Sequence, residues 1–179
     1  MIVWLVSFIL IIWSVEVVNI GIDHRLTEFG IVPREFNGLR GILLAPFLHA
    51  SISHALSNTI PLVVLGGLIS IYDRKTLLKV SFIVVLISGL GIWGIAREGI
   101  HVGSSSLVFG YFGYLVARGW YHRSFSSVIV AILVAFFYGG LIYGIFPSSD
   151  YISWEGHLFG ILGGGIAAKV IDQRKQRPK

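Results

Sequence analysis

The segment PFLHASISHALSNTIPLVVLGGLISIY, residues 46–72, places two histidines and an asparagine at the start of a long apolar run. A membrane-spanning helix needs about 20 mostly apolar residues, and the run from His54 to Tyr72 approaches that length. His54 and Asn58 are four residues apart, so their side chains project from one face of the predicted helix. Polar groups at membrane depth need a partner or a function, so this helix is predicted to carry part of a functional site.

The composition predicts an all-α, polytopic membrane protein. Of 179 residues, 55% are hydrophobic and 13% are charged, and the mean hydropathy is +0.81, which is too apolar for a soluble domain of this size. We expect one membrane domain over residues 1–179, with residues 172–179 as a basic cytoplasmic tail. Six transmembrane helices are predicted, at about residues 2–20, 54–72, 77–96, 104–120, 126–146 and 153–171.

The distribution of charge predicts the orientation of these helices. Basic residues follow the second, fourth and sixth predicted helices, whereas the loops after the third and fifth are neutral or acidic. The basic residues include Lys75, Lys79, Arg118, Arg123, Lys169 and Arg174, and the other two loops carry Arg97 with Glu98 and Asp150 with Glu155. Because basic residues concentrate on the cytoplasmic side, both termini are expected there. The net charge of +5 then needs no nucleic-acid partner.

Two features of the first 53 residues carry further expectations. The first apolar run has no basic segment before it and no small-residue cleavage site after it, so we expect a retained helix rather than a signal peptide. The long connection that follows, residues 21–53, interleaves apolar and charged residues. We expect this amphipathic loop to lie on the external side and to lean on the helix bundle or the membrane interface.

Two further segments carry the groups needed for nucleophilic catalysis. Cysteine is absent, so any nucleophile must be an oxygen, and Gly103-Ser104-Ser105-Ser106 opens the fourth predicted helix. A serine there is an ordinary N-cap, yet a helix N-terminus also stabilises an oxyanion. His157 opens the sixth predicted helix, with Gly160 and Gly164 on the same side. Such small residues allow close helix packing, which would bring the imidazole near a serine.

Taken in their order along the chain, the motifs at His54 and Asn58, at 103–105 and at His157 resemble those of the rhomboid family of intramembrane serine proteases. The resemblance covers nearly the whole chain. The resemblance implies that Ser105 is the nucleophile, His157 the general base, and His54, Asn58 and the Ser105 backbone N–H the oxyanion hole. The supporting residues it implies are His49, Gly103, Phe109, Gly160 and Gly164. Phe109 falls where an aromatic ring of the family, often Tyr, stacks on the histidine. Ser106 departs from a frequent glycine.

The resemblance also implies the reaction and the substrates. A Ser-His dyad needs no metal or cofactor, and no acidic residue occupies a third-member position, since Glu155 is expected to point to the external mouth. The expected substrates are single-spanning membrane proteins within the lipid bilayer of the cell membrane, with the active site open to the external side. The fifth predicted helix is either a lateral gate or an ordinary packing element. The natural substrate, the cleavage site and the oligomeric state stay open.

Other classes of membrane protein fit the sequence less well. A zinc protease needs His-Glu-x-x-His, but the segment from His49 to His54 has no glutamate. An aspartyl protease needs two intramembrane aspartates, and a transporter is expected to show an inverted repeat, neither of which is present in the sequence. The remaining alternative is a catalytically inactive rhomboid relative that binds membrane proteins, because fold does not dictate function.

Overall fold

The computed structural model describes residues 3–147 and 152–176, and within these ranges the fold is all-α. Asp150 and the last three residues of the predicted tail, 177–179, lie outside the described residues. The described helices are α1 Val3–Gly21, α2 Gly41–Leu44, α3 Ile52–Tyr72, α4 Arg74–Ile95, α5 Ser105–His122, α6 Phe125–Tyr138 and α7 Trp154–Gln176. The helices α1, α3, α4, α5, α6 and α7 correspond, in order, to the six predicted runs.

Four of these helices are long and apolar enough to cross a membrane. They are α1, α3, α4, and α6 together with the 3₁₀ helix Gly139–Ile145 that extends it. The helices α5 and α7 fall outside this group and carry many glycine and polar residues. The chain is therefore a multi-pass membrane protein, and the six-span count stays a prediction.

The helix α5 forms the centre of the bundle, and its packing against α7 is the most extensive contact between two helices. Glycines make this approach possible: a methyl group on Gly160 or Gly164 would collide with the carbonyl oxygens of Ser106 and Gly110. On the other side, a Cβ on Gly113 would lie 2.6 Å from the carbonyl oxygen of Ile161. The predicted close packing of these two helices through Gly160 and Gly164 is confirmed.

The opposite ends of α5 and α7 are joined by a buried ion pair that the sequence analysis did not anticipate. Arg118 Nε lies 3.3 Å from Asp172 Oδ1, and both residues are buried. The Arg118 guanidinium also stacks over the Tyr72 ring at 3.6 Å. These contacts tie α3, α5 and α7 together at the end of the bundle remote from the serines.

The connection between α1 and α3 leans on the bundle. It contains α2 and the 3₁₀ helices Arg25–Phe29, Phe36–Arg40 and Ala45–Phe47. Its middle is held to the end of α4, where Trp93 Nε1 donates to the Glu35 carbonyl at 2.8 Å and Arg34 Nη1 donates to the Ala96 carbonyl at 2.7 Å. An isolated antiparallel bridge between Ile31 and His101 joins it to the loop before α5.

Candidate active site

The N-terminal parts of α3, α5 and α7 converge on one open cavity of about 610 Å³. The structure brings together in its lining His54 and Asn58 from α3, Ser105 and Phe109 from α5, and His157 from α7. Helix caps contribute to this arrangement: the Oγ of Ser51 accepts a hydrogen bond from the backbone N–H of His54 at 3.2 Å and starts α3. Three elements distant in sequence therefore present hydroxyl, amide and imidazole groups to one space.

The three consecutive serines have different environments. Ser105 is half-buried and is the one serine of the three that shares the cavity with both histidines. Ser104 is buried, and its Oγ lies 3.3 Å from Nε2 of His49. The carbonyl of Ser106 faces Gly160 of α7 at the helix interface. Of the three, Ser105 is therefore the serine that is accessible from this cavity.

Gly103 adopts a conformation that favours glycine and allows α3 to approach the start of α5. Its φ is +111°, and a Cβ there would lie 2.7 Å from both Cε1 and Nε2 of His54 and 3.5 Å from Nδ2 of Asn58. Asn58 is buried, and its Nδ2 has no hydrogen-bond partner in the described part of the chain. A buried amide donor without a ground-state partner is suited to receive an oxyanion.

His157 is oriented by one hydrogen bond and one ring stack. Its Nδ1 lies 2.8 Å from the carbonyl oxygen of Gly144, which can only accept a hydrogen bond, so Nδ1 is the donor and Nε2 of the neutral ring is left as the acceptor. The Phe109 ring stacks on the imidazole, with centroids 3.9 Å apart and planes 6° from parallel. The predicted stack is present in the structure. Gly144 was not predicted to take part.

Comparisons with known proteins agree with a polytopic helix bundle. The rhomboid domain family model matches residues 37–174. The chain belongs to the rhomboid family. An uncharacterized protein of Mycobacterium bovis is 33% identical to this rhomboid over 184 residues, which is 97% of this chain and 77% of the relative. An uncharacterized protein of Mycobacterium leprae is 34% identical over 192 residues, which is 98% of this chain and 74% of the relative.

Within the described residues, the hydrogen bond found for the His157 ring goes to a backbone carbonyl and not to an acidic side chain. The sequence analysis expected Glu155 to point to the external mouth. In the structure Glu155 is instead buried, with Oε1 3.5 Å from Nε of Arg97 and 3.3 Å from the Arg97 backbone N. Its position is explained by the cost of burying a carboxylate, which a cationic partner offsets. The carbonyl of Gly144 takes the place on Nδ1 that an acid occupies in a triad.

His49 lies behind the site rather than in the cavity lining. It is fully buried, its Nε2 accepts from the backbone N–H of Ser104 at 3.4 Å, and its ring meets the edge of the His54 ring at a centroid distance of 5.0 Å. Burial, together with the nearby His54, lowers the pKa of His49 to about 3. The ring therefore stays neutral near neutral pH and keeps its acceptor nitrogen.

The sequence analysis did not predict the hydrogen bonds that His101 makes beside the cavity. His101, in the loop before α5, is buried, with Nδ1 2.7 Å from Oγ of Ser153 and Nε2 3.1 Å from the carbonyl oxygen of Arg97. These bonds tie the loop before α5 to the segment before α7, and all three residues line the cavity. The available signal was a histidine two residues before Gly103 in an otherwise short loop.

Ser105 and His157, the two residues expected to react, are not hydrogen-bonded to each other in the described part of the chain. Within the described residues Ser105 Oγ makes no hydrogen bond, and the hydrogen bond found for the His157 ring is on Nδ1. Catalytic hydrogen bonds are often long in the ligand-free state and shorten when substrate binds. The described residues also contain no cluster of three or more histidine and acidic side chains that could hold a metal ion.

Proposed function

We propose that this rhomboid is an intramembrane serine endopeptidase that uses Ser105 and His157. The observation that carries the proposal is that both residues line one cavity with His54 and Asn58, while Gly144 holds the proton of His157 on Nδ1. An oxygen nucleophile, a base with a free acceptor nitrogen and an unpartnered amide donor are the components of acyl transfer.

The proposed reaction passes through an acyl-enzyme. His157 Nε2 takes the proton of Ser105 Oγ as that oxygen attacks a peptide carbonyl. The resulting oxyanion accepts hydrogen bonds from His54, from Asn58 Nδ2 and from the backbone N–H of Ser105. Protonated His157 then gives its proton to the leaving amine, and water hydrolyses the ester by the same steps. Each well-placed oxyanion donor contributes roughly 3 kcal/mol to the lowering of the barrier.

The proposed setting is a six-span bundle in the cell membrane, with both termini cytoplasmic and the cavity open to the external side. Charge supports this orientation, because Lys75, Lys79 and Arg123 all lie at the end of the bundle away from the cavity-lining starts of α3, α5 and α7. The proposed substrates are single-spanning membrane proteins with helix-weakening Gly or Pro near the cut, since a regular helix hides its carbonyls. The helix α6, with Phe136 and Phe137 largely exposed, is either a lateral gate or an ordinary packing element.

The alternative is a rhomboid relative that binds membrane proteins without cutting them. Such a relative has no use for the Phe109 stack, which fixes the plane of the His157 ring, or for the donor without a partner on Asn58. Both features favour a reaction centre over a binding-only relative. The alternative therefore ranks second.

Proteolysis in reconstituted liposomes tests the proposed function. Wild type, Ser105→Ala and His157→Ala would be incorporated with a single-spanning substrate that carries Gly and Pro near its external end. Ser70→Ala is the matched control, because within the described part of the chain the buried Ser70 hydroxyl bonds only to its own helix, at Gly66. We expect cleavage by wild type and the control and none by the two site variants. Substrate binding without cleavage by folded wild type would favour the binding-only alternative.

A further inference from the structure

We propose that Asn19, on α1, is a positioning residue of the active site: through His49 it holds the backbone that precedes Ser105. The inference rests on the proposed function and adds to it a residue from a helix that contributes nothing to the cavity lining. It is carried by a continuous chain of buried hydrogen bonds from α1 to the start of α5.

The first link of the chain fixes the Asn19 side chain. Asn19 is fully buried, its Nδ2 donates to the His49 carbonyl at 3.0 Å, and its Oδ1 accepts from the backbone N–H of Leu26 at 2.9 Å. The Asn19 carbonyl also accepts from the His24 N–H at 2.7 Å. With both ends of its amide bonded, Asn19 has one orientation available, and away from water each of these bonds is expensive to lose.

The second link passes from His49 to the serine segment. His49 Nε2 accepts from the Ser104 N–H at 3.4 Å, and the neighbouring Gly103 N–H donates to the Ala45 carbonyl at 2.9 Å. The residue before Ser105 is therefore anchored to the same loop that Asn19 anchors to α1. Because burial lowers the pKa of His49 to about 3, its ring stays neutral near neutral pH and Nε2 remains an acceptor.

The contacts between α1 and the rest of the bundle show where Asn19 acts. The helix α1 contacts the bundle chiefly through α3 and the 3₁₀ helix Ala45–Phe47. Asn19 acts at the second of these contacts, since His49 follows that 3₁₀ helix by two residues. A shift of His49 would move the amide of Ser105 and the His54 ring together, and both are proposed oxyanion donors. Errors of about 1 Å in such groups can cost 10²-fold in rate.

The test compares Asn19→Ala with Tyr111→Phe in folded, detergent-purified protein. Tyr111→Phe removes the 2.6 Å bond between the Tyr111 and Ser81 hydroxyls, which is a part-buried interhelical bond of α5 outside the cavity lining. We expect both variants to lose thermal stability. Only Asn19→Ala should lower kcat, by about tenfold or more with KM within about twofold of wild type, because it misplaces transition-state donors.

A second Asn19 variant and a double-mutant cycle with His49 test the chain of hydrogen bonds separately from any loss of folding. Asn19→Asp keeps the acceptor for Leu26 and loses the donor to His49, so its kcat should fall as in Asn19→Ala. The double variant Asn19→Ala, His49→Ala should lose no more activity than His49→Ala alone, since both changes break one chain.

Two results separate failure of this inference from failure of the proposed function. If wild type cleaves the substrate and the folded Asn19 variants cleave it with an unchanged kcat, or if the double variant is additive, the positioning role is overturned. If wild type neither cleaves nor reacts with a serine-directed fluorophosphonate, the proposed function itself fails.

Discussion

At the scale of single residues, a backbone carbonyl occupies the position on the histidine that an acidic side chain has in a Ser-His-Asp triad. The Gly144 carbonyl fixes the proton of His157, and the absence of a Gly103 side chain lets His54 and Asn58 reach the start of α5. Gly144 is needed for close approach, and Gly103 is needed both for close approach and for its positive φ of +111°. Changes of one methyl group at these positions therefore test the geometry of the site directly.

Gly144→Ala is expected to slow cleavage about tenfold or more by tilting the His157 ring, because small misplacements of a catalytic group are costly. The added Cβ would lie 2.7 Å from Cζ of Phe109 and 3.2 Å from Nδ1 of His157. Gly67→Ala is the control, since a Cβ on Gly67 meets nothing within 4 Å. Measured kcat values decide the matter: equal losses in the two variants would show that Gly144 does not orient the base.

Asn58→Ala is expected to lower kcat by about 10²- to 10³-fold without abolishing cleavage, which is the effect of removing one oxyanion donor. Thermal unfolding should change little, because Nδ2 of Asn58 has no partner in the described part of the ligand-free chain. Steady-state kinetics check the predicted loss of kcat, and a melting curve on the same sample checks the predicted thermal stability. A variant that keeps the wild-type kcat would remove Asn58 from the oxyanion hole.

The buried His49 predicts an acid-sensitive stability. Its pKa is lowered to about 3 in the folded protein from an ordinary value of 6.5, so the unfolded chain binds a proton first as the pH falls. The stabilising contribution of neutral His49 is present above about pH 6.5 and is lost progressively down to about pH 3. Unfolding measured across this range in wild type and His49→Gln should show a shallower pH slope in the variant; parallel slopes would contradict the assignment.

At the scale of elements, the contact between α5 and α7 brings the serine and the histidine to one cavity. Gly164→Ala should destabilise the bundle, because the new methyl group would collide with the Gly110 carbonyl and lie 2.6 Å from the backbone N of Tyr114. Gly165→Ala is the neighbour that meets nothing within 4 Å and should be neutral or stabilising by up to about 1 kcal/mol from helix propensity. Thermal unfolding of both variants in detergent measures the difference, and equal melting temperatures would refute the packing account.

At the scale of the whole molecule, the order of the helices and the packing of α5 on α7 follow from local sequence. Apolar length predicts helices, and glycines four apart predict close packing whatever the rest of the fold does. The apolarity of α5 and α7 is lower because α5 touches other helices along most of its length. A helix that faces protein rather than lipid does not need an apolar surface all round.

Other parts of the candidate site could not be predicted, for a physical reason. The Gly144 carbonyl, the buried Glu155 and the chain through Asn19 depend on where loops pass in three dimensions. Gly144 is 13 residues before His157, and Asn19 is 30 residues before His49. No local pattern links such pairs, so each appears only once the chain is folded.

The most direct test of the central claim is to find which residue a serine-directed fluorophosphonate modifies. Detergent-purified wild type would be labelled, digested and sequenced by mass spectrometry, with Ser105→Ala and His157→Ala alongside. The account predicts an adduct on Ser105 in wild type and no adduct in either variant. An adduct on Ser104 or Ser106, or equal labelling of Ser105 in His157→Ala, would contradict the proposed dyad.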